Sequence, residues 1–301
     1  MSTEEVKPQA MSTTTYTIPV SRTFIYSPRL LVHVFYRDHT SMLASQKQKL
    51  DDLHTVFKEY LDGKLSFAPL EESKPQSILE LGTGTGVWAI QAATQFPDAK
   101  VLAVDACPLP IRPIPPNMKF RILDMMNPFP FEPESFDVIH ARFVLMHVPK
   151  PESVILRIIK LLKPGGWLLL GDLDFKLIDE SELGLGPASK EWVERYYRIM
   201  KSKGVHNDTP VYDKTLLASR AFSEVNVKTI HLPVSEKSGD PKLNKLGAAF
   251  RTACQRVAIN MANQSVPGFS LALGKEYSEE LNDSRRNTTL PVVFAWAKKR
   301  V

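Results

Sequence analysis

The sequence predicts an α/β protein built around a mostly parallel sheet with helices on both faces. Three observations predict it. From Ser77 onward, short apolar runs recur at strand length, helical stretches separate them, and a glycine-rich turn joins the first run to the first helix. Strands that are apolar along their whole length are buried on both faces, as in parallel sheets covered by crossover helices. The 301 residues, 43% of them hydrophobic and 24% charged, suffice for a full core.

The elements follow in order. Residues 1–22 are rich in Ser, Thr and Pro without periodicity and read as a disordered lead. Residues 23–70 read as an N-terminal helical or lid segment, with Tyr36, Arg37 and His39 as lid candidates. Within it Leu43, Leu50, Leu53, Val56, Phe57, Tyr60 and Leu61 recur at helical spacing, and Gly63 supplies a stop. The main domain, 71–301, opens with strands expected over Ser77–Leu81, Lys100–Asp105, Met118–Leu123, Phe136–Ala141 and Gly166–Asp172. Helices over Gly86–Phe96 and Glu152–Leu162 connect the first pair and the last pair. Pro108, Pro110, Pro113, Pro115 and Pro116 argue against a helix between the second and third strands, because proline lacks a donor and clashes in a helix interior. Helices over Ala188–Lys203, Tyr212–Arg220 and Lys242–Asn263 follow, and strands over Val225–Leu232 and Leu290–Ala297 complete the sheet. The block at about 240–286 reads as a helical cap insertion, long enough to roof a pocket.

Several function classes are disfavoured. No apolar run approaches the ~20 residues of a membrane span. The polar start Met1–Ala10, with Glu4 and Glu5, does not read as a secretory signal. Two cysteines are too few for a disulfide framework, and seven histidines without ligand spacing predict no metal site. The expectation is a soluble, cytoplasmic protein. Net charge is +5, but the basic residues are scattered apart from Lys298-Lys299-Arg300, so no nucleic-acid partner is expected.

The sharpest motif is Ile78-Leu79-Glu80-Leu81-Gly82-Thr83-Gly84-Thr85-Gly86. A dinucleotide site would place its third glycine at position 87, which is Val87. Three glycines at alternate positions, with an acid two residues ahead, suit S-adenosylmethionine instead, whose ammonium and sulfonium cations a carboxylate such as Glu80 can face directly or through water. Asp105, with Ala106 beside it, ends the second strand where a doubly wound fold offers a carboxylate to ribose hydroxyls. Asp124 ends the third strand and is placed for an adenine amino group, with Met125 and Met126 to sandwich the ring. Each acid taken singly reads equally well as a turn residue. Asp137 opens the fourth strand, at the opposite edge, and reads as structural.

The order Glu80-x-Gly-x-Gly-x-Gly, Asp105, Asp124, Phe136-Asp-Val-Ile-His-Ala-Arg142 and Leu162-Lys-Pro-Gly-Gly166 resembles the class I S-adenosylmethionine-dependent methyltransferases. Leu61-Asp-Gly-Lys-Leu-Ser-Phe-Ala-Pro69 and Pro113-Ile-Pro-Pro-Asn117 are similar to the fungal LaeA-type members. The resemblance spans roughly residues 50–175. It implies a Rossmann-like, seven-stranded sheet whose last strand is antiparallel, with S-adenosylmethionine as cofactor and S-adenosylhomocysteine as product. It places Gly82, Thr83, Gly84 and Gly86 along the cofactor, and the strand exit Ala141-Arg142 at its methionine end, where Arg142 could pair with the carboxylate.

Methyl transfer to a hydroxyl needs alignment and a base, since a phenol has a pKa of about 10. His147 follows the fourth strand and is the leading base, and Asp172, ending the fifth, is placed to orient it. The plain alternative makes His147 a helix cap and Asp172 a strand end. His140 lies within the strand and reads as core. Trp192, Tyr196, Tyr197, Phe250 and Phe269 in the cap fit a small aromatic substrate or, equally, core packing. Two functions stand at this stage: an O-methyltransferase of a small, aromatic fungal secondary metabolite, and a LaeA-type regulator acting through a protein partner. A nucleic-acid methyltransferase is disfavoured, because Ala141-Arg142-Phe143-Val144 stands where amino-group enzymes of that class carry Asn/Asp-Pro-Pro-Tyr/Phe.

Overall fold

A computed structural model describes residues 42–174, 176–205, 212–235 and 238–301. The lead at 1–22 and the lid candidates Tyr36, Arg37 and His39 lie outside the described residues. The chain runs through α1 (Met42–Tyr60) and the single turn α2 (Leu70–Ser73) into β1 (Ser77–Leu81), α3 (Val87–Gln95), β2 (Lys100–Asp105), β3 (Met118–Ile122) and β4 (Phe136–Arg142). A 3₁₀ turn over Leu145–His147 leads into α4 (Pro151–Leu161) and β5 (Leu162–Leu173). These five strands pair in parallel in the order β3-β2-β1-β4-β5.

Period-two alternation explains why the sheet is covered on both sides. On β1, Leu79 and Leu81 pack with Ile155 and Ile158 of α4, while Ile78 faces Trp88, Ala89 and Ala92 of α3. On β5, Leu168 and Leu170 share the α4 face, and Trp167 and Leu169 the α3 face. The link over 106–117 forms no helix, as its prolines require. β5 begins four residues earlier than expected because Leu162 pairs with Phe136 ahead of an irregularity at Lys163-Pro-Gly-Gly166. Asp137 sits at the edge opposite the glycine-rich turn and accepts hydrogen bonds from Ser77 N (2.8 Å), Ser77 Oγ (2.7 Å) and Gln76 N (3.0 Å), with Lys163 Nζ at 3.0 Å. It ties the starts of β1, β4 and β5 together, the structural role expected of it.

The remaining elements are β6 (Ile178–Asp179), α5 (Pro187–Ser202), α6 (Tyr212–Ser219), β7 (Phe222–Pro233), α7 (Pro241–Asn263), α8 (Leu271–Asn282) and β8 (Thr288–Lys299). β8 lies between β5 and β7 and is antiparallel to both, as the resemblance implied. The sheet has eight strands rather than seven. The extra one is β6, a two-residue strand that pairs with Thr288 and Thr289 where β8 runs past the end of β5.

The cap aromatics turn inward. Trp192 stacks on Tyr196 (5.3 Å) and Tyr277 (5.0 Å) and meets Phe269 edge-on, and Phe250 meets Phe57 of α1 edge-on at 5.7 Å. All six side chains are buried in one core shared by α1, α5, α7 and α8. Trp192, Tyr196, Phe250 and Phe269 are therefore core rather than the lining of an open aromatic pocket. Tyr197 alone of the five expected lining residues is half-exposed. Phe57 of α1 belongs to this same core with Leu53, Val56, Tyr60 and Phe67 packed against it, whereas Leu65, Ala68 and Leu70 join the core around Trp88. Among the described residues, no helix is long and apolar enough to cross a membrane.

The cap is also tied electrostatically. The Glu280 carboxylate of α8 accepts from Ala188 N (3.0 Å) and Ser189 N (2.7 Å), filling the orphan donors at the start of α5 that Gly186 cannot cap. Glu280→Ala is expected to lower unfolding stability by about 1–2 kcal/mol, read from the denaturant midpoint at constant slope. An unshifted midpoint would remove this capping role.

Candidate active site

β1, β2 and β3 run in register, with Leu81 opposite Val104 and Asp105 opposite Ile122, so their C-terminal ends form one edge. Glu80, Asp105 and Asp124 come together along it. Gly82, Gly84 and Gly86 take φ values of +65°, +57° and +79°, forming the turn between β1 and α3. At Gly82 a side chain is excluded sterically as well, since a Cβ there would lie 2.4 Å from Val144 Cγ2 in the loop after β4.

Glu80 lies beneath this turn rather than on its open side. One carboxylate oxygen accepts from the Thr83 hydroxyl and from Ala89 N (3.1 Å), and the other stands 3.5 Å from His140 Nδ1. Burial pushes its pKa up to about 7, against the Thr83 bond, the Arg142 charge and the Ala89 bond, which favour the ionised form. Asp105 is half-exposed. Its two oxygens accept from Gly84 N (2.8 Å) and Cys107 N (2.9 Å), with Ala106 exposed at the corner of the second bend. A carboxylate has about four acceptor positions, so both oxygens retain capacity for a pair of hydroxyls. Burial raises the Asp105 pKa, opposed by the bonds from Cys107 and Gly84.

Asp124 accepts from Met126 N (2.9 Å) and shapes the bend that follows β3. The two methionines part there: Met126 is 45% exposed, whereas Met125 packs against the α4-side core. The two-sided ring sandwich expected from sequence is thus not formed by the pair. Arg157 of α4 fixes this bend by donating to Met125 O (2.6 Å) and Asn127 O (2.5 Å).

Ala141 is buried between Leu81 of β1 and Leu170 of β5. Arg142 reaches toward α1. Its Nη2 lies 3.0 Å from His54 Nδ1, its guanidinium covers the rings of Phe57 (4.9 Å) and Phe143 (5.7 Å), and His54 Nε2 meets Gln91 Oε1 at 2.7 Å. Burial lowers the Arg142 pKa to about 10, which leaves it charged at neutral pH. His140 is core, stacked on Trp88 at 3.7 Å, and burial holds its pKa well below the usual value.

His147 lies in the 3₁₀ turn after β4, and burial pushes its pKa down to about 4. Asp172 is 2% exposed, with a pKa raised to about 7 by burial. His147 is not among the hydrogen-bond partners of Asp172: one carboxylate oxygen accepts from Met146 N (3.0 Å) and from the Tyr212 hydroxyl, and the Val144 and Phe143 amides also favour its ionised form. Strand alternation sets which side of the sheet Asp172 faces. Gly171 faces Phe294 and Arg142, so Asp172 faces the opposite side, under the 3₁₀ turn and beside α6.

Sequence reasoning missed four contributors. Arg112 Nη1 joins Asp51 of α1 (3.1 Å) to Thr85 O of the glycine-rich turn (2.9 Å). His54, Arg157 and Tyr212 act as described above. An arginine in a proline-rich link or on the polar face of a helix reads as solvated, so nothing local distinguished these residues.

Residues 53–207 match a family model described as a methyltransferase domain. Methyltransferase str3 of Strobilurus tenacellus is 45% identical to this chain, over 68% of this chain and 74% of that protein. The chain belongs to the methyltransferase family. Two relatives from Aspergillus fumigatus are more distant: the secondary metabolism regulator laeA, 26% identical over 79% of this chain and 64% of its own, and the N-methyltransferase gliN, 27% identical over 70% and 80%. S-adenosylmethionine is the cofactor of this methyltransferase, and the donor set fits it. A half-exposed carboxylate with spare acceptor capacity suits a ribose diol, and a buried carboxylate beneath the turn suits a ligand with cationic centres.

The raised pKa of Glu80 has a sign that can be checked. A carboxyl whose folded pKa lies above its unfolded value contributes stability that is present below the unfolded pKa and lost as pH rises through about 7. Glu80→Gln removes that loss, because the amide oxygen still accepts from Thr83 and Ala89. The melting temperature of this methyltransferase variant relative to the wild type, both without cofactor, is expected to rise between pH 5 and pH 8. A pH-independent difference would show that Glu80 does not titrate in this range.

Proposed function

We propose that this methyltransferase transfers a methyl group from S-adenosylmethionine to a hydroxyl of a small, aromatic secondary metabolite. The observation that supports the donor site most strongly is the convergence of the Gly82–Gly86 turn, Asp105 and Asp124 on one sheet edge. In this reading the backbone of Gly82, Thr83, Gly84 and Gly86 lies along the cofactor. Asp105 and Ala106 receive the ribose, and Asp124, Met125 and Met126 border the adenine, with Met126 offering the open apolar face. Ala141 and Arg142 border the methionine end. Glu80 acts through the turn it braces and through its negative charge beneath two cationic centres. The bound cofactor supplies an electrophilic methyl carbon; alignment of the acceptor is the protein's contribution.

His147 is the proposed base. Its depressed pKa leaves the imidazole neutral at pH 7, with a lone pair for an acceptor proton. Proton transfer from a phenol would form an imidazolium beside a phenolate, and each charge would offset the other's burial. Asp172 acts on His147 through the backbone, holding the 3₁₀ turn by Met146 N–H. Str3 is named a methyltransferase, which supports the enzymatic reading. The laeA relative supports a second one, a regulator that acts through a protein complex.

Incubating purified protein and methyl-labelled S-adenosylmethionine with a fungal extract separates the two. Label in small organic-soluble products is expected, while label confined to protein would favour the regulator. An N-methylated product would overturn the hydroxyl assignment and leave the donor site standing. With a product in hand, His147→Ala is expected to lower kcat by about 10²–10⁴-fold while S-adenosylhomocysteine affinity holds. An unchanged kcat would remove the base assignment.

A further inference from the structure

We infer that Tyr212 is a positioning residue: through Asp172 it holds the 143–148 loop, which closes the donor site against Gly82. The inference rests on reading the Gly82–Gly86 turn as the donor site. Tyr212 opens α6, and its phenol is buried in the core on the α4 side of the sheet. Its hydroxyl donates to the same Asp172 oxygen that accepts from Met146 N at 3.0 Å. One oxygen on a central strand therefore fastens a helix and the loop at once.

The loop needs fastening. Phe143 takes φ +58°, a left-handed conformation unfavourable for a side chain of that size, and its N–H is held by Gly171 O at 2.7 Å. The next residue, Val144, is the one whose methyl group occupies the space a Gly82 side chain would need. Two residues further on, Met146 is tied to Asp172, and His147 follows. A slackened bond at Met146 thus reaches both Val144, on the donor turn, and His147. Packing alone does not require the hydroxyl, since phenylalanine would fill the same core volume. What the hydroxyl adds is the side-chain donor to a buried carboxylate, without which that carboxylate is left with the backbone amides of the loop.

The test compares Tyr212→Phe with Leu216→Ala, a cavity variant in the same helix and the same core. Each is titrated calorimetrically with S-adenosylhomocysteine well below its melting temperature, and hydrogen exchange is followed over 143–148. Tyr212→Phe is expected to bind about tenfold more weakly, the scale of a lost hydrogen bond to a charged group, with faster exchange in the loop. Leu216→Ala is expected to melt earlier yet bind as the wild type does. Equal affinity and equal loop exchange in Tyr212→Phe and wild type would overturn the proposal, as would equal weakening in both variants. Failure of the wild type itself to bind would overturn the donor reading, and this role with it.

Discussion

The sheet edge that carries the glycine-rich turn depends on a carboxylate buried where a charge is expensive. Glu80 stands under the glycine-rich turn with almost no access to water, so its ionised form persists only because the Thr83 hydroxyl, the Ala89 amide and the Arg142 charge compensate. The consequence is local rigidity. Two of those three groups belong to the turn and the first residues of α3, and their bonds can form only if the chain folds tightly over the acid. The left-handed conformations at Gly82, Gly84 and Gly86 are what that tight path demands. The same charge reaches outward. Arg142 contacts His54, and His54 contacts Gln91 of α3, so α1 is coupled to the turn by polar bonds as well as by the burial of Phe57. Arg112, spanning Asp51 and Thr85 O, makes a second bridge between the same two elements.

This explains which parts of the fold were legible in the sequence. The central parallel strands were, because burial on both faces leaves mostly apolar runs, whereas β3 at the sheet edge carries Lys119 and Arg121. Asp105 was legible for the same reason, as the first polar residue past a run that must stop, and Asp124 follows the apolar pair Ile122-Leu123 at the end of β3. β6 was not, since two residues carry no periodicity and pair only because β8 extends past the end of β5. The cap aromatics left packing and pocket lining undecided, and a shared core of four helices decided for packing. Asp172 was placed at the correct strand end, but its direction depends on which face Gly171 takes, and that is set by Phe294 on a strand over a hundred residues away. Strand position is a local property, whereas side-chain direction at the end of a strand is a property of the whole sheet.

The loop after β4 shows how these constraints converge. Within five residues it places a left-handed Phe143, Val144 against the glycine-rich turn, Met146 on Asp172, and His147. A segment this short has too few internal bonds to hold such a shape, and its fixed points come from elsewhere: Gly171 and Asp172 from β5, Gly82 from the turn after β1, Tyr212 from α6 by way of Asp172. β1, β4 and β5 are adjacent in the sheet, so the anchors cannot drift relative to one another without breaking parallel ladders. The shape of the loop is therefore set by the sheet, and its exposed chemistry can vary without disturbing the fold. Gly82, Asp172 and the register of β4 on β5 together fix where the loop, and His147 within it, stands.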